Sequence, residues 1–126
     1  MIRQSINVDN KWRVIVYYNI DYDFFDIVKK EMLAYSTPVE KIDDTLHLLH
    51  THRVKAFTSS NLKRKTSIVG FGKHKDKYDL INSIAHEAEH IKQDMLKAYK
   101  VKDEGEPPAY TIGYLVVKML RVMDMI

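Results

Sequence analysis

Residues 76–100 constrain the fold more than any other stretch, because their apolar side chains recur at the spacing of one helix face. At about 100° per residue, the apolar residues gather on one side of such a helix: Leu80, Ile84, Ala88, Ile91, Met95, Ala98 and Tyr99. Polar residues occupy the opposite side: Asp79, Asn82, His86, His90, Asp94 and Lys97. The pattern predicts one long helix that packs on a core and turns its polar side to solvent or to a cleft.

That polar side carries the sequence His86-Glu87-Ala88-Glu89-His90, which has the form H-E-x-x-H. Residues four apart lie one above the other on a helix, so both imidazoles can face one ion. Two histidines at this spacing bind zinc, and the adjacent Glu87 can act as a general base towards a water molecule. The alternative is a solvated helix face that carries two histidines by coincidence. The pattern favours a metal site.

A catalytic zinc usually has three protein ligands and one water. The chain has no cysteine, so the third ligand is expected to be a carboxylate. Asp103, Glu104 and Glu106 cluster in the turn after the long helix. We expect Glu106 to be the ligand, because it begins a last helix that can fold back antiparallel to the H-E-x-x-H helix. An acidic residue at that position also simply suits the helix dipole. Asp94, one turn beyond His90, is a candidate to orient an imidazole.

The whole chain predicts one small α+β domain over residues 1–126. Apolar periodicity and β-branched runs predict strands at 12–18, 54–58 and 67–71 and helices at 24–35, 76–100 and 107–125. A further helix is expected after Thr37, with Thr37 and Glu40 forming a capping box. We expect a short mixed or antiparallel sheet packed on the H-E-x-x-H helix and a C-terminal helix. Residues 67–72 are our candidate for a sheet edge that pairs with an extended substrate; the alternative is an ordinary strand.

Composition is compatible with a single globular domain. The 126 residues are 45% hydrophobic and 29% charged, and they can bury a modest core. Much of the net charge of +3 lies in two clusters, Lys63-Arg64-Lys65 and Lys73-His74-Lys75-Asp76-Lys77. Basic clusters can track phosphates, but short ones are more often solvated turns. A nucleic-acid-binding accessory that uses these basic loops is therefore the weakest of the alternative functions. The chain has no signal-peptide core and no apolar run near the ~20 residues of a membrane span. We therefore expect a soluble protein with no membrane partner.

A second group of histidines lies near the expected end of the second helix. His47 and His50 are three residues apart, so a second metal site is conceivable, with His52 nearby. Positive charge is favourable at a helix C-terminus, which accounts for the group without a metal. We favour this structural interpretation.

The segment after the motif reads Glu106-Pro107-Pro108-Ala109-Tyr110 and continues Thr111-Ile112-Gly113-Tyr114. Together with H-E-x-x-H, it resembles the glutamate-type zincin metallopeptidases, and more closely the small zincin-like proteins encoded by bacteriophages and prophages. The resemblance covers residues 81–115. It implies zinc held by His86, His90 and Glu106, with Glu87 as general base. Tyr110 would stabilise the oxyanion, unless it is an ordinary core tyrosine.

This resemblance implies a zinc-dependent peptidase that acts on a protein or peptide substrate. The alternative is a non-catalytic virion structural or assembly component, such as a head–tail connector or ring protein, that retains the fold. The last helix is apolar around most of its circumference, which is typical of a helix that packs on a partner. We therefore expect a homo-oligomer, or contacts with other phage proteins, through that helix. The expected location is the host cytoplasm or the virion.

Overall fold

A computed structural model describes residues 1–35, 37–123 and 125, except for the side chain of Glu106. The elements in chain order are β1 (Ile2–Val8), β2 (Trp12–Tyr18), a 3-10 turn (Tyr22–Phe24), α1 (Phe25–Ala34), α2 (Val39–His50), β3 (Ala56–Asn61), β4 (Thr66–Phe71), α3 (Lys77–Tyr99) and α4 (Glu106–Met123). The expected α+β class is confirmed. None of the helices in this described part is long and apolar enough to cross a membrane.

The four strands form one mixed sheet in the order β1-β2-β4-β3. The outer pairs β1–β2 and β3–β4 are antiparallel, and β2 pairs with β4 in parallel. A parallel pair needs a long crossover, and α1 and α2 lie in the connection from β2 to the β3–β4 hairpin. The turn between β1 and β2 uses Asp9 and Asn10 with left-handed backbone (φ 55° and 56°), which these residue types tolerate.

Both faces of the sheet are covered, so the core has two halves. On one face, side chains of β2 and β4 such as Val16 and Phe71 pack with buried residues of α3 and α4. On the other face, alternate residues such as Ile15 and Ile68 pack with α1 and α2. Strand β2 is therefore apolar on both sides, and Val14 through Tyr18 are all buried.

The position of the sheet edge differs from the sequence prediction. Residues 67–72 were our candidate for a free edge, but β4 pairs with β2 on one side and with β3 on the other. The prediction was wrong because the order of strands depends on long-range pairing that local pattern does not encode. The edge next to α3 is instead β3, and the opposite edge is β1, which the sequence did not predict as a strand.

The start of α2 also differs from the predicted capping box. Pro38 is the residue that precedes the helix, and no side chain caps it. The hydroxyl of Thr37 lies 3.3 Å from that of Ser59 on β3, so a tertiary contact replaces the expected local one.

Candidate metal centre

Helix α3 fixes the position of the H-E-x-x-H motif through its ends and its apolar face. The side chain of Asp76 accepts a hydrogen bond from the Asp79 amide at 2.9 Å, and Lys100 ends the helix in left-handed backbone (φ 55°). Buried residues hold the helix on the sheet: Leu80, Ile84, Ala88 and Ile91. The imidazoles of His86 and His90 lie on its exposed side, which confirms the sidedness predicted from periodicity.

The two imidazoles are close enough to share one ion. Their Nε2 atoms are 3.1 Å apart, and the rings meet edge to face at 80° with centroids 4.7 Å apart. Two nitrogens on one tetrahedral zinc, each at about 2.0–2.1 Å, are separated by about 3.3 Å. The observed distance is near that value, so the pair fits a metal with little movement. It also suits a hydrogen bond between neutral rings of opposite tautomers.

The carboxylate of Glu87 completes a compact group with these imidazoles. Potential ligand atoms of His86, Glu87 and His90 all lie within 4.8 Å of one another, and they form the one such group found among the described residues. Glu87 is only 4% exposed. Burial raises the pKa of its carboxyl, and this outweighs the opposing effects of the Thr58 hydrogen bond and the two histidines. A carboxyl with a raised pKa accepts a proton more readily, as a general base must.

Strand β3 supplies the partners of two acidic residues on α3. The hydroxyl of Thr58 donates to Glu87 at 3.2 Å, and the hydroxyl of Ser60 donates to Asp94 at 2.6 Å. Because Thr58 and Ser60 are two residues apart on one strand, both point to the α3 side of the sheet. Neither residue was predicted from the sequence. The alternation of hydroxyl groups on 58 and 60 was the available signal, but nothing local assigned them to α3.

Asp94 belongs to a chain of hydrogen bonds that leads away from the motif. The Trp12 indole donates to the Ser67 hydroxyl at 3.0 Å, and this hydroxyl lies 2.7 Å from that of Ser60. Since Ser60 gives its only proton to Asp94, Ser67 must donate to Ser60. No hydrogen bond joins Asp94 to either imidazole in the described part of the chain. Its predicted role in orienting an imidazole is therefore not met.

The predicted third ligands lie in or near the connection between α3 and α4. Asp103 accepts from the Lys92 ammonium at 2.8 Å, and Glu104 is exposed. On a helix, Lys92 projects about 160° away from His90, so this connection lies on the flank of α3 opposite that imidazole. Glu106 is the first residue of α4, but its side chain is outside the described structure. Its assignment as third ligand stays a prediction.

Tyr110 lies at the other side of the molecule. It is 76% exposed and lines a surface cavity with Pro107, Val8 and Asp9, beside the end of β1. Glu87 contacts β3, and the β1 and β3 edges are separated by about 14 Å at the usual strand spacing. The structure does not bring Tyr110 to the motif, so its position gives no support to the predicted oxyanion role.

The second histidine group has a structural explanation. The His50 ring packs on Tyr22 and Phe25, with centroids 5.0 and 6.0 Å away. His52 adopts left-handed backbone (φ 59°) just after α2. Neither residue joins a group of potential metal ligands among the described residues.

Comparison with known proteins leaves the site to be interpreted from its own residues. No protein-family model, no curated protein and no solved structure matches this chain. The chemistry of the His86–Glu87–His90 group therefore follows from its donor atoms, their spacing and their burial.

Proposed function

We propose that this chain is a zinc-dependent, zincin-like metallopeptidase of bacteriophage type. The observation that carries the proposal is the 3.1 Å separation of the His86 and His90 Nε2 atoms beside the buried carboxylate of Glu87. His86 and His90 would hold the ion. When bound, zinc supplies an acidified water and polarises the scissile carbonyl.

Glu87 is the residue that would move protons in this proposal. Thr58 holds one of its carboxylate oxygens, and burial raises its pKa. Glu87 would accept a proton from the attacking water and pass it to the leaving amine nitrogen. Its neighbour in the motif, Glu89, pairs with Lys92 at 2.8 Å and is not available for this task.

The open edge of β3 supports a peptide as the substrate. In the described structure β3 pairs with β4 alone, so its other side has free backbone donors and acceptors. An extended peptide can pair with such an edge. Thr58 and Ser60 of this strand bond Glu87 and Asp94, and the ligand atoms of both histidines lie within 4.8 Å of those of Glu87, so a peptide added to β3 would pass near the imidazoles.

Metal analysis and a cleavage assay on one set of variants test this proposal. The wild type should bind one zinc per chain and cleave an unstructured peptide library. Replacing His86 or His90 by alanine should abolish zinc binding, whereas Glu87→Gln should keep zinc and lose cleavage. His47→Ala, an exposed histidine on α2, is the matched control and should retain both. Zinc binding that survives both motif substitutions would refute the proposal.

The third ligand can be tested in the same assay. If Glu106 is a ligand, Glu106→Gln should weaken zinc binding by about 10-fold or more, because even the loss of a residue that only bonds a ligand has an effect of that size. Glu104→Gln, two residues earlier, is the control and should have no effect. Equal zinc affinity of both variants would remove Glu106 from the site.

A virion structural or assembly role is the second candidate, and one feature of α4 favours it. Tyr110, Tyr114 and Val117 are 76%, 41% and 50% exposed, and they share one helix face at i, i+4 and i+7. Such a stripe is typical of a face that packs on another chain. Light scattering on the purified protein tests it: Val117→Lys should convert an oligomer to a monomer. If the purified wild-type protein is a monomer, a ring made of this chain alone is excluded.

A further inference from the structure

A polar groove lies where the two hairpin turns meet at one end of the sheet. It has a volume of about 850 Å³ and is lined by both turns and by the ends of α1 and α3. Its cationic side chains come from distant parts of the sequence: Lys11 and Arg13 from the start of β2, and Arg64 and Lys65 from the β3–β4 turn. From the sequence alone, Lys63-Arg64-Lys65 is expected to be a solvated turn, because local pattern does not place residues 11 and 13 beside it.

The two arginines are held in place by neutral partners. The Arg13 guanidinium donates to the hydroxyls of Ser5 and Tyr35 at 3.2 and 3.3 Å. The Arg64 guanidinium donates to the Ala34 carbonyl at 2.6 Å and stacks over the Tyr35 ring at 4.7 Å. These contacts fix the positions of the charges and leave the charges uncompensated.

No carboxylate lines this groove, and none of the ion pairs within the described structure involves Lys11, Arg13, Arg64 or Lys65. The carboxylate of Glu31, whose pKa is affected by Arg13, is already bonded to Arg3 and Tyr17. Concentrated positive charge without internal partners favours an anionic ligand.

We propose that this groove binds the phosphodiester backbone of single-stranded nucleic acid. Phosphates repeat along such a strand, so several can meet cations that lie side by side in an open groove. A small anion such as phosphate would engage one or two of these cations and leave the rest unused. The proposal concerns a surface separate from the metal centre and does not rest on the proposed peptidase function.

Aromatic and guanidinium planes in the groove favour a single strand over a duplex. The Tyr99 ring is 40% exposed, packs edge-on against Trp12 and has the Lys65 ammonium 4.7 Å from its centroid. The Arg64 guanidinium covers one face of the Tyr35 ring, and the Arg64 residue is exposed. Planar groups of this kind stack on unpaired bases, whose faces a duplex hides.

Fluorescence anisotropy with labelled oligonucleotides tests the proposal. The probes are dT and rU oligomers of roughly 15 nucleotides, long enough for one small binding domain, and a DNA duplex of the same length. EDTA is present, so the result does not depend on zinc or on peptidase activity. We expect single-stranded DNA and single-stranded RNA each to bind at least about tenfold more tightly than the duplex. Four cations predict a slope of log affinity against log salt between about −2 and −3.

A pair of double variants separates the groove from overall charge. Lys11→Gln with Arg64→Gln should weaken binding by about tenfold or more, because it removes two phosphate contacts. Lys73→Gln with Lys77→Gln removes the same charge at the other end of β2, near Tyr18, and should change affinity less than about threefold. Circular dichroism checks that both variants fold.

Three outcomes would overturn the proposal. The first is the absence of wild-type binding at about 100 μM protein in low salt, since non-specific nucleic-acid contacts alone reach that range. The second is equal weakening by the groove variant and the control variant, which would reduce the effect to net charge. The third is equally tight binding of duplex, which would remove the preference for a single strand. Equally tight binding of polyglutamate with matched charge would likewise show that any polyanion suffices.

Discussion

The hydroxyl of Thr58 donates to the Glu87 carboxylate across 3.2 Å, so the edge strand of the sheet holds the acid of the helix motif. Thr58→Val should leave a buried carboxyl without this partner. We expect the unfolding free energy of the metal-free protein to fall by about 1–3 kcal/mol, the usual cost of an unsatisfied buried group. Urea denaturation measures it. Thr58→Ser keeps the hydroxyl and should recover most of the loss; equal stability of the valine and serine variants would contradict the assigned bond.

Gly70 and Gly113 should respond in opposite ways to a methyl group. A Cβ on Gly70 would lie 2.2 Å from the Phe57 ring and 2.8 Å from Ile20, both buried, whereas a Cβ on Gly113 meets nothing within 4 Å. Gly70→Ala should destabilise the fold by about 1–3 kcal/mol through overpacking. Gly113→Ala, inside α4, should stabilise it by about 0.5–1 kcal/mol through the lower helix cost of alanine. Thermal denaturation of both variants checks the contrast, and a stable Gly70→Ala would show that the core there is looser than described.

Lys92 should protect the connection between α3 and α4 from proteolysis. Its ammonium pairs with Glu89 and Asp103, each at 2.8 Å, and its side chain is only 8% exposed. Lys92→Met should release Asp103, so trypsin should cleave after Lys102 several-fold faster than in the wild type. Lys97→Met, an exposed residue of the same helix, is the control. Unchanged cleavage in the Lys92 variant would show that the ion pairs do not order this connection.

Glu31 should make stability depend on pH in the acid range. Burial alone would raise its pKa, but hydrogen bonds from Arg3 at 2.9 Å and Tyr17 at 2.6 Å outweigh burial and lower it. A carboxyl whose pKa is lower in the folded state stabilises the fold above its unfolded pKa, and this stability is lost as pH falls through the folded value. Burial raises the pKa of Tyr17 to about 12, so the phenol keeps donating at neutral pH.

We therefore expect Glu31→Gln to lower the unfolding free energy at pH 7 by about 1–2 kcal/mol. The difference from the wild type should begin to shrink near pH 4, the pKa of an unperturbed glutamate, and should vanish only when pH falls below the lowered pKa of the folded state. Urea denaturation at a series of pH values measures both. Glu40→Gln, an exposed glutamate on α2, removes the same charge and should give a difference that is small at every pH. A Glu31 effect that persists at low pH would contradict the assignment.

Local pattern predicted the elements that are rich in β-branched and aromatic residues or that repeat apolar residues at helical spacing. Strand β2 was predicted with its observed bounds, and α3 was predicted to within one residue at each end. Strand β1 was not predicted, although Ile6 and Val8 are buried, because the polar Gln4 interrupts the apolar residues of its inward face. The position of β4 inside the sheet also lay beyond local pattern, since it depends on the parallel pairing with β2.

The candidate site was predictable only as far as a single helix extends. The closeness of His86 and His90 follows from helix geometry alone, and the structure agrees. The contact from Thr58 to Glu87 joins residues 29 positions apart, so no local pattern could reveal it. Tyr110 was assigned through a resemblance that carries no distances, and it lies beside β1, across the width of the sheet from the β3 edge that Glu87 contacts.

The apolar character of β2 on both faces means that polarity alone cannot fix its alignment with its neighbours. A slip by one residue would exchange Val14 and Val16 for Ile15 and Tyr17 in each half of the core, with little change in buried area. Two side-chain hydrogen bonds prevent such an exchange. The Trp12 indole donates to Ser67 at one end of the strand, and the Tyr18 hydroxyl donates to Gln4 at the other. Correct alignment during folding should therefore depend on these two terminal anchors more than on the valines and isoleucine between them.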